Sequence, residues 1–371
     1  MSQRPLDSAP GHPTRRAYRL AAGVAAALLV ATVFSSGASA APEAPSGNPA
    51  AAAGSDSTAQ ATAAADVLTA VNTFLGTLSS SQKTSVQASR TQANLSKWSN
   101  LPDALFARAG IRMDALTSAQ QTAVLDILAA ALSPEGFTQV TGITYGDGVL
   151  KAQGGVDLDF GADHYWIRIL GTPSATGKWT IQYGGHHLAV NITLSGGTIT
   201  LGPTLWGAQP ASYTRGGATV EPLAGEASKA FAVVRSLNAT QLATAVLDTP
   251  VKEIILGAGQ DGKTLSYEGV KGSALTSAQK TLLLSLINEW ITPLDSEQAA
   301  PKLVDAQTNL DATYFAWSGS TTVGQPIYYR VQSPTFTIEF AHQQGGGANA
   351  GGVTHIHSIY RENGNDYGAE D

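Results

Sequence analysis

The sequence predicts an α+β fold. Antiparallel sheets pack with helices, and two related helix-helix-strand halves form one large or two intimately packed domains. Three observations predict it. Segments with helical spacing precede runs rich in β-branched and aromatic residues, and this order occurs twice. The string Leu116-Thr-Ser-Ala-Gln120 recurs as Leu275-Thr-Ser-Ala-Gln279. The strand-like runs alternate apolar and polar residues, as strands do when one face lies on a core.

The chain opens on what reads as an export signal peptide, residues 1–40. Thr14 to Arg19 is basic, Leu20 to Phe34 is an uncharged apolar run of 15 residues, and Ala38-Ser-Ala40 is a small-residue cleavage site. The run is short for a membrane span, which needs about 20 apolar residues. The expectation is an exported protein with no membrane span in its mature form, cleaved after Ala40. Arg15-Arg16 fits twin-arginine export and the remainder fits Sec export. Residues 41–65, rich in Ala, Pro, Ser and Gly, read as a flexible linker.

The first half, 66–222, begins with helical spacing from Asp66 to Arg90. A second helix starts at the Leu-Thr-Ser-Ala-Gln string, is capped by Thr117 or Ser118, and runs to Leu132. Ser133-Pro134-Glu-Gly136 is read as its stop, with strands over 137–206. The second half, 223–371, repeats the order. It has a helical segment from Gly225 to Leu247, a helix from the second string to Ile291, a further helix over Glu297–Asn309, and strands from Tyr314 to Tyr360. The strand Trp179-Thr-Ile-Gln-Tyr183 aligns with Phe336-Thr-Ile-Glu-Phe340 as a second match between the halves.

Composition narrows the chemistry. With no cysteine there are no disulfides, no thiolate ligands and no Cys nucleophile, so any metal falls to His, carboxylate or carbonyl ligands. The net charge is −6, and loss of the leader, with four Arg and one Asp, makes it −9. That balance argues against a nucleic-acid partner. No G-x-S-x-G elbow, HExxH motif or phosphate loop is present.

The seven histidines carry the functional reading. On one strand His355 and His357 present their imidazoles to one face about 7 Å apart. His187 has the parity of Trp179, Ile181 and Tyr183, and His186 the opposite parity, unless Gly184-Gly185 form a bulge. His342 comes near His355 or His357 if the two strands form a hairpin. Glu339 has the opposite parity to His342. The candidate metal ligands are therefore His187, His355 and His357, with His186, His342 and Glu339 in reserve, and the candidate metals are Zn, Cu or Fe. Metal-assisted hydrolysis is the first reaction class that such a site suggests.

The alternative is a non-catalytic secreted module for a carbohydrate or cell-envelope ligand. It would use Arg361, Asp366 and Trp166, with Trp206 and Trp317 as further members of an aromatic platform.

Several strings resemble one family. They are Tyr165-Trp-Ile-Arg-Ile-Leu-Gly-Thr-Pro-Ser174, Gly184-Gly-His-His-Leu188, Gly202-Pro-Thr-Leu-Trp-Gly-Ala-Gln-Pro210, Phe315-Ala-Trp-Ser-Gly319, Tyr328-Tyr-Arg330, and His355-Ile-His-Ser-Ile-Tyr-Arg361 with Asp366-Tyr-Gly368. Together they are similar to the bacterial domain-of-unknown-function family numbered 3500, over roughly residues 66–368. The resemblance implies a bacterial, often exported protein and supplies no reaction. The chain departs from the pattern in its Gly-rich segment between His342 and His355 and in lacking Asp-Pro after Arg361.

Overall fold

The computed structural model describes residues 49–154, 158–343 and 352–368. The expected signal peptide and most of the Gly-rich segment before His355 lie outside the described residues. The first half of the chain forms α1 (Pro49–Thr77), α2 (Ser80–Val86), β1 (Gln87–Ala88), α3 (Gln92–Leu95), β2 (Ile111–Arg112), α4 (Ser118–Ala131) and α5 (Pro134–Gln153). It continues with β3 (Trp166–Leu170), β4 (Lys178–Gly185), β5 (Leu188–Ser195), β6 (Thr198–Thr200), β7 (Thr204–Ala208), β8 (Tyr213–Arg215) and β9 (Ala218–Val220). The second half forms α6 (Ala224–Ser236), α7 (Ala239–Ala245), β10 (Val270–Lys271), α8 (Ser277–Ile291) and α9 (Ser296–Thr308). Its strands are β11 (Tyr314–Gly319), β12 (Ile327–Gln332), β13 (Phe336–His342) and β14 (Ile356–Glu362).

The repeated string does the same work in both halves. Thr117 and Thr276 cap α4 and α8 by accepting from the backbone of Gln120 and Gln279, whose side chains accept in return from the capping residues. Each glutamine then reaches the preceding helix pair. Gln120 Nε2 donates to Thr77 O at 3.0 Å, and Gln279 Nε2 donates to Ser236 O at 2.7 Å, both across 43 residues. Each also meets the glutamine of another capping box 38 residues earlier, Gln82 in the first half and Gln241 in the second. Repetition of both spacings identifies an internal duplication.

The halves share one 12-stranded sheet, ordered β1-β3-β4-β5-β7-β14-β13-β12-β11-β10, with β2 and β6 paired beside this path. The seam is the antiparallel pair β7·β14. The helical layer has a matching seam, an antiparallel bridge between Leu132 and Leu294, with Ser133 N donating to Pro293 O and Asp295 N to Ala131 O. From the seam outward β7, β5, β4 and β3 correspond to β14, β13, β12 and β11. The strand Trp179–Tyr183 therefore occupies the place of β12, so its alignment with Phe336–Phe340 of β13 is corrected. Alternating aromatics suit any strand with one face on a helical layer, and so do not identify which strands are equivalent.

That helical layer covers the face bearing Trp179, Ile181 and Tyr183, and its core runs through both halves, from Val71, Phe74 and Val124 to Leu283, Ile287 and Trp317. Across the second half's strands Trp317, Tyr329 and Phe340 stack in register, with centroids 6.4 and 5.1 Å apart. The opposite face is buried as well, under the long segments 87–110 and 248–269. A small apolar cluster there includes Leu95, Trp98, Leu205, Leu256, Ile359 and Tyr367. Between these lie polar side chains that the covering segments and neighbouring strands satisfy: Gln182 Nε2 donates to Leu95 O and to Asn191 Oδ1. The alternation thus marks a buried polar layer rather than a solvated face.

Three local expectations are corrected. Ser133-Pro134 starts a helix: Ser133 Oγ accepts from Gly136 N at 3.1 Å, and Pro134 stands at a first-turn position where its missing N–H costs nothing. Residues 137–153 are therefore helical, and the close approach of Pro222 and Tyr213 to Gly142 and Gly146 accounts for two of the helix's four glycines. The segment 41–65 is helical from Pro49 onward, because its alanines are strong helix formers and Ala63 and Ala64 are buried. The helix expected over Asp66–Arg90 breaks at the cap Ser79. Among the described residues no helix is long and apolar enough to cross a membrane.

Candidate metal centre

The site lies where the halves meet. His186 and His187 are the two turn residues of the β4–β5 hairpin, closed by the Gly185–Leu188 pair. His187 has φ +63°, in the left-handed region, a conformation that costs a non-glycine residue about 1–3 kcal/mol. The fold holds it there: His187 N donates to Asn100 O at 3.1 Å, and His187 O accepts from Gly207 N at 2.7 Å. Gly207 pairs in register with His357 across the seam. A Cβ on Gly207 would stand 2.7 Å from Ile356 O and 3.0 Å from His187 Cδ2, so glycine permits the close approach.

His355, immediately before β14, completes the group. Its Nε2 lies 2.6 Å from His187 Nε2, across 168 residues, and 3.1 Å from His357 Nε2. Ring centroids are 4.6 Å apart for His187–His355, 4.7 Å for His355–His357 and 5.1 Å for His187–His357. His187 and His357 are buried and His355 half-buried. The structure thus brings together the three residues chosen from the sequence.

Glu253 orients the set. Its carboxylate accepts from His357 Nδ1 at 2.9 Å, which assigns the proton to Nδ1 and leaves the Nε2 lone pair facing the other two rings. Asn100 Nδ2 lies 3.4 Å from His357 Nε2. Burial, followed by the neighbouring imidazoles His186, His355 and His357, drives His187 well below the ordinary histidine value. Burial likewise brings His355 down to about 3. Neutral imidazole is the form that ligates metals.

A second pair adjoins the first. His186 Nδ1 and Asp147 Oδ1 are 2.6 Å apart, Asp147 Oδ2 accepts from Gly161 N, and the His186 ring lies 3.7 Å from that of His187. Burial lowers the His186 pKa, with Asp147 pulling the other way. Asp147, His186 and His187 each offer a ligand atom within 4.8 Å of the others, as His187, His355 and His357 do. A third group, Asp114, Asp163 and His164, has its two acids exposed.

The family model for a protein of unknown function, DUF3500, matches residues 60–369. The chain belongs to this family. The DUF3500 match spans the three histidines, Glu253 and the Asp147–His186 pair. No curated protein and no solved structure matches the chain.

The other residues chosen from the sequence have other partners. His342 pairs with Ile356 on the helix-covered face, opposite His357, and its Nδ1 accepts from Ile327 N at 3.2 Å. Glu339 is buried on the right face, but Tyr328 Oη and the backbone N–H groups of Ile255 and Leu256 occupy its oxygens. Arg361, expected as a ligand-binding residue, is buried among Asp366, Asp261 and the carbonyls of Leu256 and Gly257. Asp366 is spent on Arg361 and Glu362 N. Trp206 and Trp317 are core residues, so the aromatic platform does not form. Trp166 is half-buried, with Nε1 donating to Asp103 at 2.8 Å.

Sequence reasoning missed Glu253, Asn100 and Asp147. Glu253 and Asn100 sit in the segments that cover the polar face, where no periodicity marks them. Asp147 lies on α5, within a region read as strands.

Proposed function

We propose that this protein is an exported metalloprotein. It would hold one divalent transition-metal ion, Zn, Cu or Fe, through Nε2 of His187, His355 and His357 and carry out metal-assisted hydrolysis. The observation that carries the reading is the convergence of three Nε2 atoms, with Glu253 fixing the tautomer of His357. A tetrahedral zinc with Zn–N bonds of about 2.0–2.1 Å holds its nitrogens about 3.3 Å apart, so small ring movements from the observed 2.6 and 3.1 Å admit an ion.

Bound there with three protein ligands, such an ion supplies Lewis acidity and an open position for water. Glu253 keeps the His357 lone pair aimed inward. His186, neutral near pH 7 and anchored by Asp147, is the adjoining group suited to accept a proton. Export rests on the basic, apolar and small-residue parts of residues 14–40.

Elemental analysis of the purified protein after reconstitution tests the centre. About one equivalent is expected, and loss of it in the His355→Ala plus His357→Ala variant. Sub-stoichiometric metal in the unaltered protein overturns the reading. Chelator-sensitive turnover of ester and phosphoester substrates tests hydrolysis, and N-terminal sequencing of secreted protein, expected to begin at Ala41, tests export.

A further inference from the structure

The duplication places a second cleft toward the other end of the seam. The histidines sit at the end where Ile356 pairs with Ala208, and the cleft at the end where Tyr360 pairs with Thr204. In the first half Asp147 of α5 holds His186 in the β4–β5 turn. In the second half α9 follows the repeated string's helix as α5 does, and the β12–β13 hairpin stands for β4–β5. Asp305 of α9 accepts from Thr335 Oγ1 in that turn. The cleft opens beside this contact with a volume of about 470 Å³, whereas small-molecule sites span roughly 300–1,000 Å³.

Two hydroxyls on its wall have no protein partner. Tyr360 is 4% exposed and Thr200 8%, and among the described residues neither hydroxyl makes a hydrogen bond. Polar groups buried this far are paired as a rule, because an unpaired one keeps its desolvation cost. The groups around them have hydrogen-bonding capacity left over. Glu362 accepts from Lys302 and from Asn365 Nδ2 at 2.6 Å. Asp305 accepts from Thr335 and from Asn309 Nδ2 at 2.9 Å. Each carboxylate keeps further lone pairs, and Lys302 further N–H groups. The stacked rings of Phe336 and Tyr360, 6.1 Å apart, add an apolar surface. Donors and acceptors are thus interleaved beside an apolar wall, with two carboxylates against one ammonium. That arrangement suits a neutral molecule with several hydroxyls, each able to donate and accept, and disfavours an anion.

We propose that this cleft binds a sugar. Tyr360 Oη and Thr200 Oγ1 bond to ligand hydroxyls, Asp305 and Glu362 accept from others, and the C–H face of the ring lies against Phe336 and Tyr360. The inference does not rest on the metal reading. None of the three histidines lines the cleft, and it stands whether or not they hold an ion.

Calorimetric titration of chelator-treated full-length protein with glucose, mannose, N-acetylglucosamine and maltose is the test, with gluconate as an anion of similar size. Saturable binding of at least one neutral sugar is expected, with gluconate about tenfold weaker or more. Tyr360→Phe removes a hydroxyl that no protein group uses. It should keep the melting temperature of the unaltered protein and bind the sugar roughly three- to tenfold more weakly. Thr200→Val should do the same, and it decides if Tyr360→Phe does not fold. The proposal is overturned by no saturable binding of any of these sugars, by gluconate binding as tightly as they do, or by unaltered affinity in the folded variants.

Discussion

Glu253 accepts from His357 Nδ1 at 2.9 Å, and by that contact turns His357 Nε2 toward His355, 3.1 Å away. The two residues come from unrelated stretches, a covering segment and the start of a seam strand. Their contact separates three crowded imidazoles from a site with a defined set of lone pairs. Outer partners of this kind are worth about 10–100-fold in metal affinity. Glu253→Ala should therefore bind metal about 10–100-fold more weakly, in competition with a chromogenic chelator, while unfolding at nearly the same denaturant concentration. Unchanged affinity would count against the centre.

Gly207 controls the approach of His187 to β14. Gly207→Ala should lower stability by roughly 1–3 kcal/mol, because a methyl group there meets backbone and the His187 ring. It should also weaken metal binding. Gly76→Ala is the control: a Cβ there meets nothing within 4 Å, and in a helix the change should stabilise by about 0.5–1 kcal/mol. Denaturant titration of both variants reads the difference.

Burial brings the His342 pKa down to about 4, against 6.5 for a free histidine. The unfolded chain takes up this proton from about pH 6.5 downward, whereas the folded chain does so only near pH 4. The contribution is full above pH 6.5 and is lost as pH falls toward 4, on the order of 3 kcal/mol in all. His342→Gln should flatten the stability profile across that window. An unaltered slope in unfolding measured at pH 4, 5 and 7 would contradict it.

Glu226 has the opposite sign. It is buried, and burial raises its pKa to about 8, helped by nearby Glu289. Gln139 Nε2 donates to Glu226 Oε1 at 3.0 Å, while Glu226 Oε2 and Gln139 Oε1 are both buried without partners. A proton on Oε2 turns one of these two unmatched acceptors into a donor. The folded chain keeps that proton where the unfolded chain releases it, so stability should fall as pH rises from about 4.5 to 8, by roughly 3–5 kcal/mol. Glu226→Gln should abolish this loss in unfolding experiments at pH 5 and pH 8.

The duplicated capping boxes predict matched energetics. Gln120→Ala and Gln279→Ala each remove a reciprocal cap and a bond to the preceding helix, and should each cost about 1–2 kcal/mol. The sites share no partner, so the double variant should lose the sum within about 0.5 kcal/mol. Strongly unequal single losses would show that the halves no longer use the string alike.

The helix α8 was legible because its start and stop signals are local: Thr276 with Gln279 opens it, and Pro293 follows its end, whereas the single helical segment expected over Gly225–Leu247 divides at the cap Asn238 into α6 and α7. Ser133-Pro134 was misread because the same pair serves as a stop or a first turn, and only the packing of Gly142 and Gly146 on Pro222 and Tyr213 selects the second. Glu339 and Arg361 carried functional promise as charged strand residues. Both lie on the loop-covered face of the sheet, and several of their partners come from the 248–269 segment, whose path follows no repeating pattern.

By itself the sequence determined the α+β class, the duplication through its capping strings, and the choice of His187, His355 and His357. These depend on periodicity, turn chemistry and residue type, which act over a few neighbours. Only the tertiary structure decided that β7 and β14 form the seam, that His187 lies in a left-handed turn there, that His342 faces away, and that Glu253 and Asp147 attend the histidines. Those outcomes depend on strand register and on segments laid over a sheet, where contacts between residues more than a hundred positions apart choose among conformations that local sequence leaves equal.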